Sequence, residues 1–225
     1  MEIRTRSGNI YSYNKQTGEI LGGSITAQLP KWNFAPIVPF ESMPQVDSFI
    51  LGLTEQCNLR CTYCCYSGNY VNKRSHNTVS MGTDDVDDIL LFIDSFTSNR
   101  PIKIFLYGGE PLLNYNIVQY AIEESRKQWD NDVSFTISTN GTTLTKERID
   151  WLVANNVVLA LSIDGTKPFH DSYRVDALGN GSYTEVYDAL KYIKTTYPEY
   201  AKEMSLIMTL ASFDKIIEIA EAWNN

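Results

Sequence analysis

The hydrophobic positions change rhythm near residue 49. From there, short apolar runs bounded by turn residues recur: FILGLT (49–54), IKIFLY (102–107), VSFTIS (133–138), VVLALSI (157–163) and MSLIMT (204–209). Continuous runs of this length predict parallel strands buried on both faces. Between them the apolar residues fall at helical spacing. Val86, Ile89, Leu90, Ile93 and Phe96 predict one helix, with Thr83 as its N-cap and Asp84 and Asp85 complementing its N-terminal dipole. Ile117, Val118, Ala121 and Ile122 mark a second helix, and Ile149, Leu152 and Val153 a third. Ser182 and Glu185 form a capping-box pattern ahead of Val186, Ala189, Leu190 and Ile193. Ile216, Ile219, Ala220 and Trp223 mark the last. Five alternating strand–helix units predict an α/β fold with a parallel sheet, open or barrel-type. In barrel-type sheets functional groups gather beyond the C-terminal strand ends, so those loops are where chemistry is sought.

Residues 1–48 follow another pattern. NIYSYNKQTGEIL predicts two short strands around a turn at Gly18. LPKWNFAPIVPFESMP carries four prolines between Pro30 and Pro44, which exclude helix interiors and central strands. The chain is read as a small N-terminal β-hairpin-like appendage with a Pro-rich linker (1–48) and a core domain (49–225).

Composition narrows the classes of function. The net charge of −8, with no basic run to offset it, argues against a nucleic-acid or anionic-membrane partner. The N-terminus lacks the apolar core of a signal peptide, and no apolar stretch approaches the ~20 residues of a membrane span. The expected compartment is the cytoplasm.

All four cysteines lie in CNLRCTYCC, residues 57–65, directly after the first predicted strand of the core. A disulfide between such near neighbours would close almost no loop and constrain little. Metal or redox chemistry in a reducing compartment is the better reading. A zinc site would take four ligands in two separated knuckles. Here the fourth would have to be Cys65, whose side chain diverges from that of its neighbour Cys64. Three thiolates at C-x3-C-x2-C spacing suit a [4Fe–4S] cluster with one iron left unligated by protein. Cys65 is expected to pack as a small hydrophobe.

With Tyr63 preceding the third cysteine, this loop resembles the signature of the radical S-adenosylmethionine (radical SAM) enzymes. YGGEP (107–111), STNGTTL (138–144) and LSIDG (161–165) leading into FHDSYR (169–174) also fall at predicted strand ends. Together they resemble the subgroup that includes anaerobic sulfatase-maturating enzymes and the radical maturases of ribosomal peptides. The resemblance implies a partial (β/α) barrel and two cofactors, a [4Fe–4S] cluster and S-adenosylmethionine. It implies reductive cleavage of the latter to a 5′-deoxyadenosyl radical that abstracts hydrogen from a peptide or protein. Cys57, Cys61 and Cys64 are then the metal ligands. The implied cofactor-binding residues are Tyr63 near the adenine, Gly108, Gly109 and Glu110 at the methionine amino group, and Ser162 and Arg174 at the carboxylate and ribose. Asn140 and Asp164 shape the strand-end loops within reach of the ligand. No nucleophile–base pair is implied. His76 is read as exposed, and His170 is given no ligand role.

Two departures from the family carry expectations. The family barrel usually has six strand–helix units, and five are counted here. The cysteine-rich C-terminal extension common in the subgroup has no counterpart in the sequence. The chain is therefore expected to be a C-terminally truncated fragment, whose fifth strand edge would be covered by another chain, through self-association, or by a rearranged segment. Without its cluster, the stretch 66–82 is expected to be mobile. A flavodoxin or ferredoxin is the implied reductant. The alternatives are a non-catalytic zinc or redox protein, and a radical SAM enzyme acting on a small metabolite.

Overall fold

The computed structural model describes residues 2–4, 10–13, 20–22, 46–66, 75–95, 101–212 and 215–224. Its contacts divide the chain into two compact units, Met1–Met43 and Pro44–Asn225. The first contains an antiparallel three-stranded sheet of β1 (Glu2–Arg4), β2 (Ile10–Tyr13) and β3 (Ile20–Gly22), in that order. The sequence pattern anticipates β2 and β3 but not β1. The turn expected at Gly18 and most of the proline-rich linker lie outside the described residues.

The second unit is built on five parallel strands in sequential order: β4 (Ser48–Gly52), β5 (Ile102–Tyr107), β6 (Val133–Thr139), β7 (Val157–Ser162) and β8 (Ser205–Ile207). Helices α1 (Thr83–Asp94), α2 (Tyr115–Trp129), α3 (Lys146–Ala154) and α5 (Tyr183–Thr196) occupy the connections, and α7 (Ile216–Asn224) follows β8. Two short helices, α4 (Lys167–Tyr173) and α6 (Pro198–Glu203), break up the long β7–β8 connection and were not foreseen. This is an α/β fold of the partial (β/α) barrel type.

The sheet is buried on one face rather than two. Leu51, Leu106, Ile137 and Leu159 are register partners across four strands, and all are buried. They join Val86, Leu90 and Ile93 of α1, Ile122 of α2, Leu152 of α3 and Val186 and Ile193 of α5 in one continuous core. Burying each such side chain contributes about 2 kcal/mol. On the other face, Ile50 is 73% exposed, and its register partner Phe105 and nearby Tyr107 are exposed too. Strand β5 thus alternates buried and exposed although its sequence is almost wholly apolar.

Two helix starts depart from expectation. Gly82, not Thr83, is the N-cap of α1, and the Asp85 carboxylate accepts its N–H at 2.8 Å. Ser182 does precede α5, but its hydroxyl does not cap it. That hydroxyl is held by His170 and the Arg174 carbonyl instead.

Candidate functional site

The β4 strand end runs straight into the cysteine loop, which is pinned along its length. The Gly109 and Glu110 N–H groups donate to the Thr54 and Gln56 carbonyls at 2.8 and 2.7 Å, joining the β5 end to the β4 end. Only glycine permits that approach. A Cβ at Gly108 would stand 2.4 Å from the Thr54 carbonyl oxygen, and one at Gly109 2.2 Å from that of Gln56. The two glycines thus serve first to seat the cysteine loop. Further along, Arg60 and Thr62 donate backbone N–H groups to the Val175 and Tyr173 carbonyls at 2.6 and 3.0 Å. Asn58 donates to Thr142 Oγ1 at 2.7 Å and accepts from Asn140 Nδ2 at 3.0 Å. Asn140 Nδ2 also lies 3.8 Å from Cys57 Sγ.

These contacts bring Cys57, Cys61, Cys64, Tyr63, Gly108, Gly109, Asn140, Ser162 and Arg174 around one cavity of about 320 Å³. Glu110 and Asp164 do not line it; both are wholly buried behind the wall. Glu110, expected as an acceptor for the cofactor's ammonium, is engaged by the protein on both oxygens. It accepts from Leu112 N–H and Thr139 Oγ1 on one oxygen and from Asn140 N–H at 2.7 Å on the other. Burial pushes its pKa up, and those three hydrogen bonds pull against the rise. Its carboxylate ties the β5 end to the β6 end.

Asp164 is the second hub. It accepts from Arg174 Nε at 2.7 Å, from Thr209 N–H at 2.9 Å and from the Tyr63 hydroxyl. Arg174 is 7% exposed and lies 5.5 Å from the Tyr63 ring centroid. Asp164 occupies its Nε, so only its other N–H groups are left for a ligand.

The thiols are poised but protonated. Burial raises the pKa of Cys57, Cys61 and Cys64, that of Cys61 to about 11 even against the pull of Arg174. Loading metal here must therefore release protons, which makes it favour higher pH. Among the described residues, no three His, Cys, Asp or Glu side chains converge tightly enough to grip one ion. Three thiols lining one cavity have the donor chemistry of a [4Fe–4S] site, in which each would bind a different iron.

Cys65 is exposed at the cavity rim, not packed as expected. His76 is half-buried on the same rim and stacks on Tyr66 at 5.9 Å. Residues 67–74 lie outside the described residues, so the expected mobility of that stretch is not addressed there. Residues 77–81 are tied back, with Val79 and Leu53 carbonyls accepting from Glu55 and Met81 at 2.9 and 3.0 Å. The sequence did not single out Tyr107, Ser138, Thr139, Ile207 or Thr209 as cavity-lining residues. All sit at or just beyond strand ends, which is the signal that would have found them. A larger hollow of about 490 Å³, lined by Tyr183, Tyr187 and Lys191 among others, holds none of the strand-end thiols.

Known proteins place this geometry in context. The chain is 28% identical over 161 residues to the cysteine-type anaerobic sulfatase-maturating enzyme of Clostridium novyi, covering 70% of this chain and 43% of that protein. It is 31% identical to the serine-type enzyme of Bacteroides thetaiotaomicron, covering 61% and 34%. It is 33% identical to the GTP 3′,8-cyclase of Haemophilus influenzae, covering 53% and 34%. The solved structure of native anSMEcpe with bound AdoMet shares the fold at a TM-score of 0.66 and 22% identity, over 79% of this chain and 48% of that one. The chain thus spans less than half the length of these relatives. The family model for the radical SAM superfamily matches residues 51–221, from the end of β4 into α7, and so takes in the cysteine loop and every strand end that lines the cavity. The chain belongs to the radical SAM superfamily.

Proposed function

We propose that this chain forms the cofactor-binding core of a radical SAM enzyme that modifies a peptide or protein. The observation that carries this reading is the convergence of three thiols with Gly108, Gly109, Asn140, Ser162 and Arg174 on one strand-end cavity. Bound there, a [4Fe–4S] cluster and S-adenosylmethionine would supply reductive carbon–sulfur cleavage and the hydrogen abstraction that follows. The protein's part is to bind, orient and exclude water. Cys57, Cys61 and Cys64 hold the cluster. The glycine turn, Ser162 and the free N–H groups of Arg174 face the methionine end, where a guanidinium can donate to a carboxylate. Tyr63 lies on the adenine side, with its hydroxyl already spent on Asp164. Asn140 steadies Cys57.

The peptide substrate rests on the likeness to sulfatase-maturating enzymes. A small-metabolite substrate is the second reading, favoured by the likeness to GTP 3′,8-cyclase. A flavodoxin or ferredoxin in a reducing cytoplasm would deliver the electron. Among the described residues no helix is long and apolar enough to cross a membrane. Among the described residues no strand pairs with the outer edge of the short β8, where Leu206 and Ile207 are exposed, and that edge would serve self-association.

Anaerobic reconstitution with S-adenosylmethionine and dithionite tests the reading. About four iron and four sulfide per chain and release of 5′-deoxyadenosine are expected. One zinc, no iron and no deoxyadenosine would contradict it. Adding sulfatase-derived peptides or GTP to the same reaction then separates the two substrate classes.

A further inference from the structure

His170 is wholly buried and lines no part of the cavity. Its Nδ1 accepts the Asp164 N–H at 3.1 Å, so that nitrogen carries no proton. Burial, and then the charge of Arg174, pull its pKa down to about 4 and keep the ring neutral. The proton therefore sits on Nε2, which donates to Ser182 Oγ at 3.0 Å. Ser182 Oγ donates in turn to the Arg174 carbonyl at 3.0 Å. Arg174 Nε returns to the Asp164 carboxylate at 2.7 Å. The four residues close a ring of hydrogen bonds. Arg174 is gripped at both ends, by Asp164 at the guanidinium and by Ser182 at the carbonyl, and His170 pins both holders.

The ring also reaches the cysteine loop. The residues on either side of Arg174 are the ones whose carbonyls accept from Arg60 and Thr62. Cys61 thus sits between two backbone bonds to the segment that the ring holds.

We propose that His170 and Ser182 are positioning residues of the cofactor site, setting the Arg174 guanidinium against the cavity while touching no ligand themselves. This rests on the reading that Arg174 meets S-adenosylmethionine. A purely packing role is the competing account, since His170 also meets the Tyr183 ring edge-on at 5.5 Å.

The test is S-adenosylmethionine affinity by calorimetry on the reconstituted chain, with iron content and thermal midpoint measured alongside. Ser182→Ala should bind about tenfold more weakly with its iron retained, as expected when an outer hydrogen-bond partner is lost. Ser182→Thr, which restores the hydroxyl, should recover most of that affinity. His170→Gln, a second route to the same break, should weaken binding similarly. If Arg174→Lys weakens binding while Ser182→Ala and His170→Gln stay within about twofold, the positioning role falls and the cofactor reading stands. If Arg174→Lys also leaves affinity unchanged, both fall. If Ser182→Ala loses its iron and its thermal midpoint together, the role is structural and the proposal is overturned.

Discussion

The body of the sheet and its C-terminal rim are both buried, but by opposite chemistry. In the body, Leu51, Ile104, Leu106, Phe135 and Leu159 pack against helices, with no polar group to satisfy. At the rim, Glu110, Thr139, Asp164, His170, Arg174 and Ser182 are buried together, and each is spoken for by another. The body gains its stability from apolar area, and it tolerates apolar side chains of suitable volume. The rim gains little net stability from burying polar groups, but it holds them in one arrangement. Stability and site geometry are thus separated within single strands, a few residues apart.

Breaking a rim hub should cost the most. Asp164→Ala leaves Arg174 buried without its carboxylate, and should lower unfolding free energy by about 3–5 kcal/mol in urea titration. A loss below 1 kcal/mol would mean that the rim is not held as described. Ile104→Ala, in the body, should cost about 2–5 kcal/mol through transfer and cavity terms. It should leave S-adenosylmethionine affinity unchanged, whereas Asp164→Ala should not. Equal effects of the two on affinity would erase the distinction between body and rim.

A third prediction uses pH. The folded pKa of His170 is depressed from 6.5 to about 4. Between those values the unfolded chain binds the extra proton and the folded chain does not, so stability falls as pH drops from about 6.5 to about 4. The upper limit of the loss is about 3 kcal/mol. In His170→Gln that part of the acid sensitivity should vanish. An unchanged pH profile in the variant would assign the sensitivity to other groups. The smallest effect belongs to the uncovered face. Ile50→Ala should change stability by less than about 0.5 kcal/mol, because the side chain is 73% exposed.

The body was legible in the sequence because apolar spacing reports burial directly. All five core strands and the helices flanking them lie where the periodicity placed them, with no strand end shifted by more than two residues. Where the pattern misled, it was over faces. IKIFLY is apolar at every position but Lys103, yet Phe105 and Tyr107 lie exposed on the face opposite the core. Hydrophobicity alone cannot tell a strand covered twice from one covered once. At the rim the sequence named the neighbourhood but not the partners. Glu110 looked like an acceptor facing a ligand, and the structure sets it behind the wall as a hub, beside Asp164, whose expected part was to shape the strand-end loops. Ser182 looked like a cap, and its hydroxyl is committed across the chain to His170 and Arg174. Partnerships of this kind depend on three-dimensional approach between loops, which local spacing does not encode. Cys65 was expected inside and lies exposed at the cavity rim, where its side chain meets that of Cys64 rather than diverging from it.

The central claim, that Cys57, Cys61 and Cys64 serve one cluster and Cys65 does not, is tested most directly by iron content. Each cysteine is replaced by alanine in turn and the chains are reconstituted anaerobically. Iron should fall to background in the Cys57, Cys61 and Cys64 variants and stay at the level of the unaltered chain in Cys65→Ala. Equal loss in all four, or retention in all four, would contradict the account.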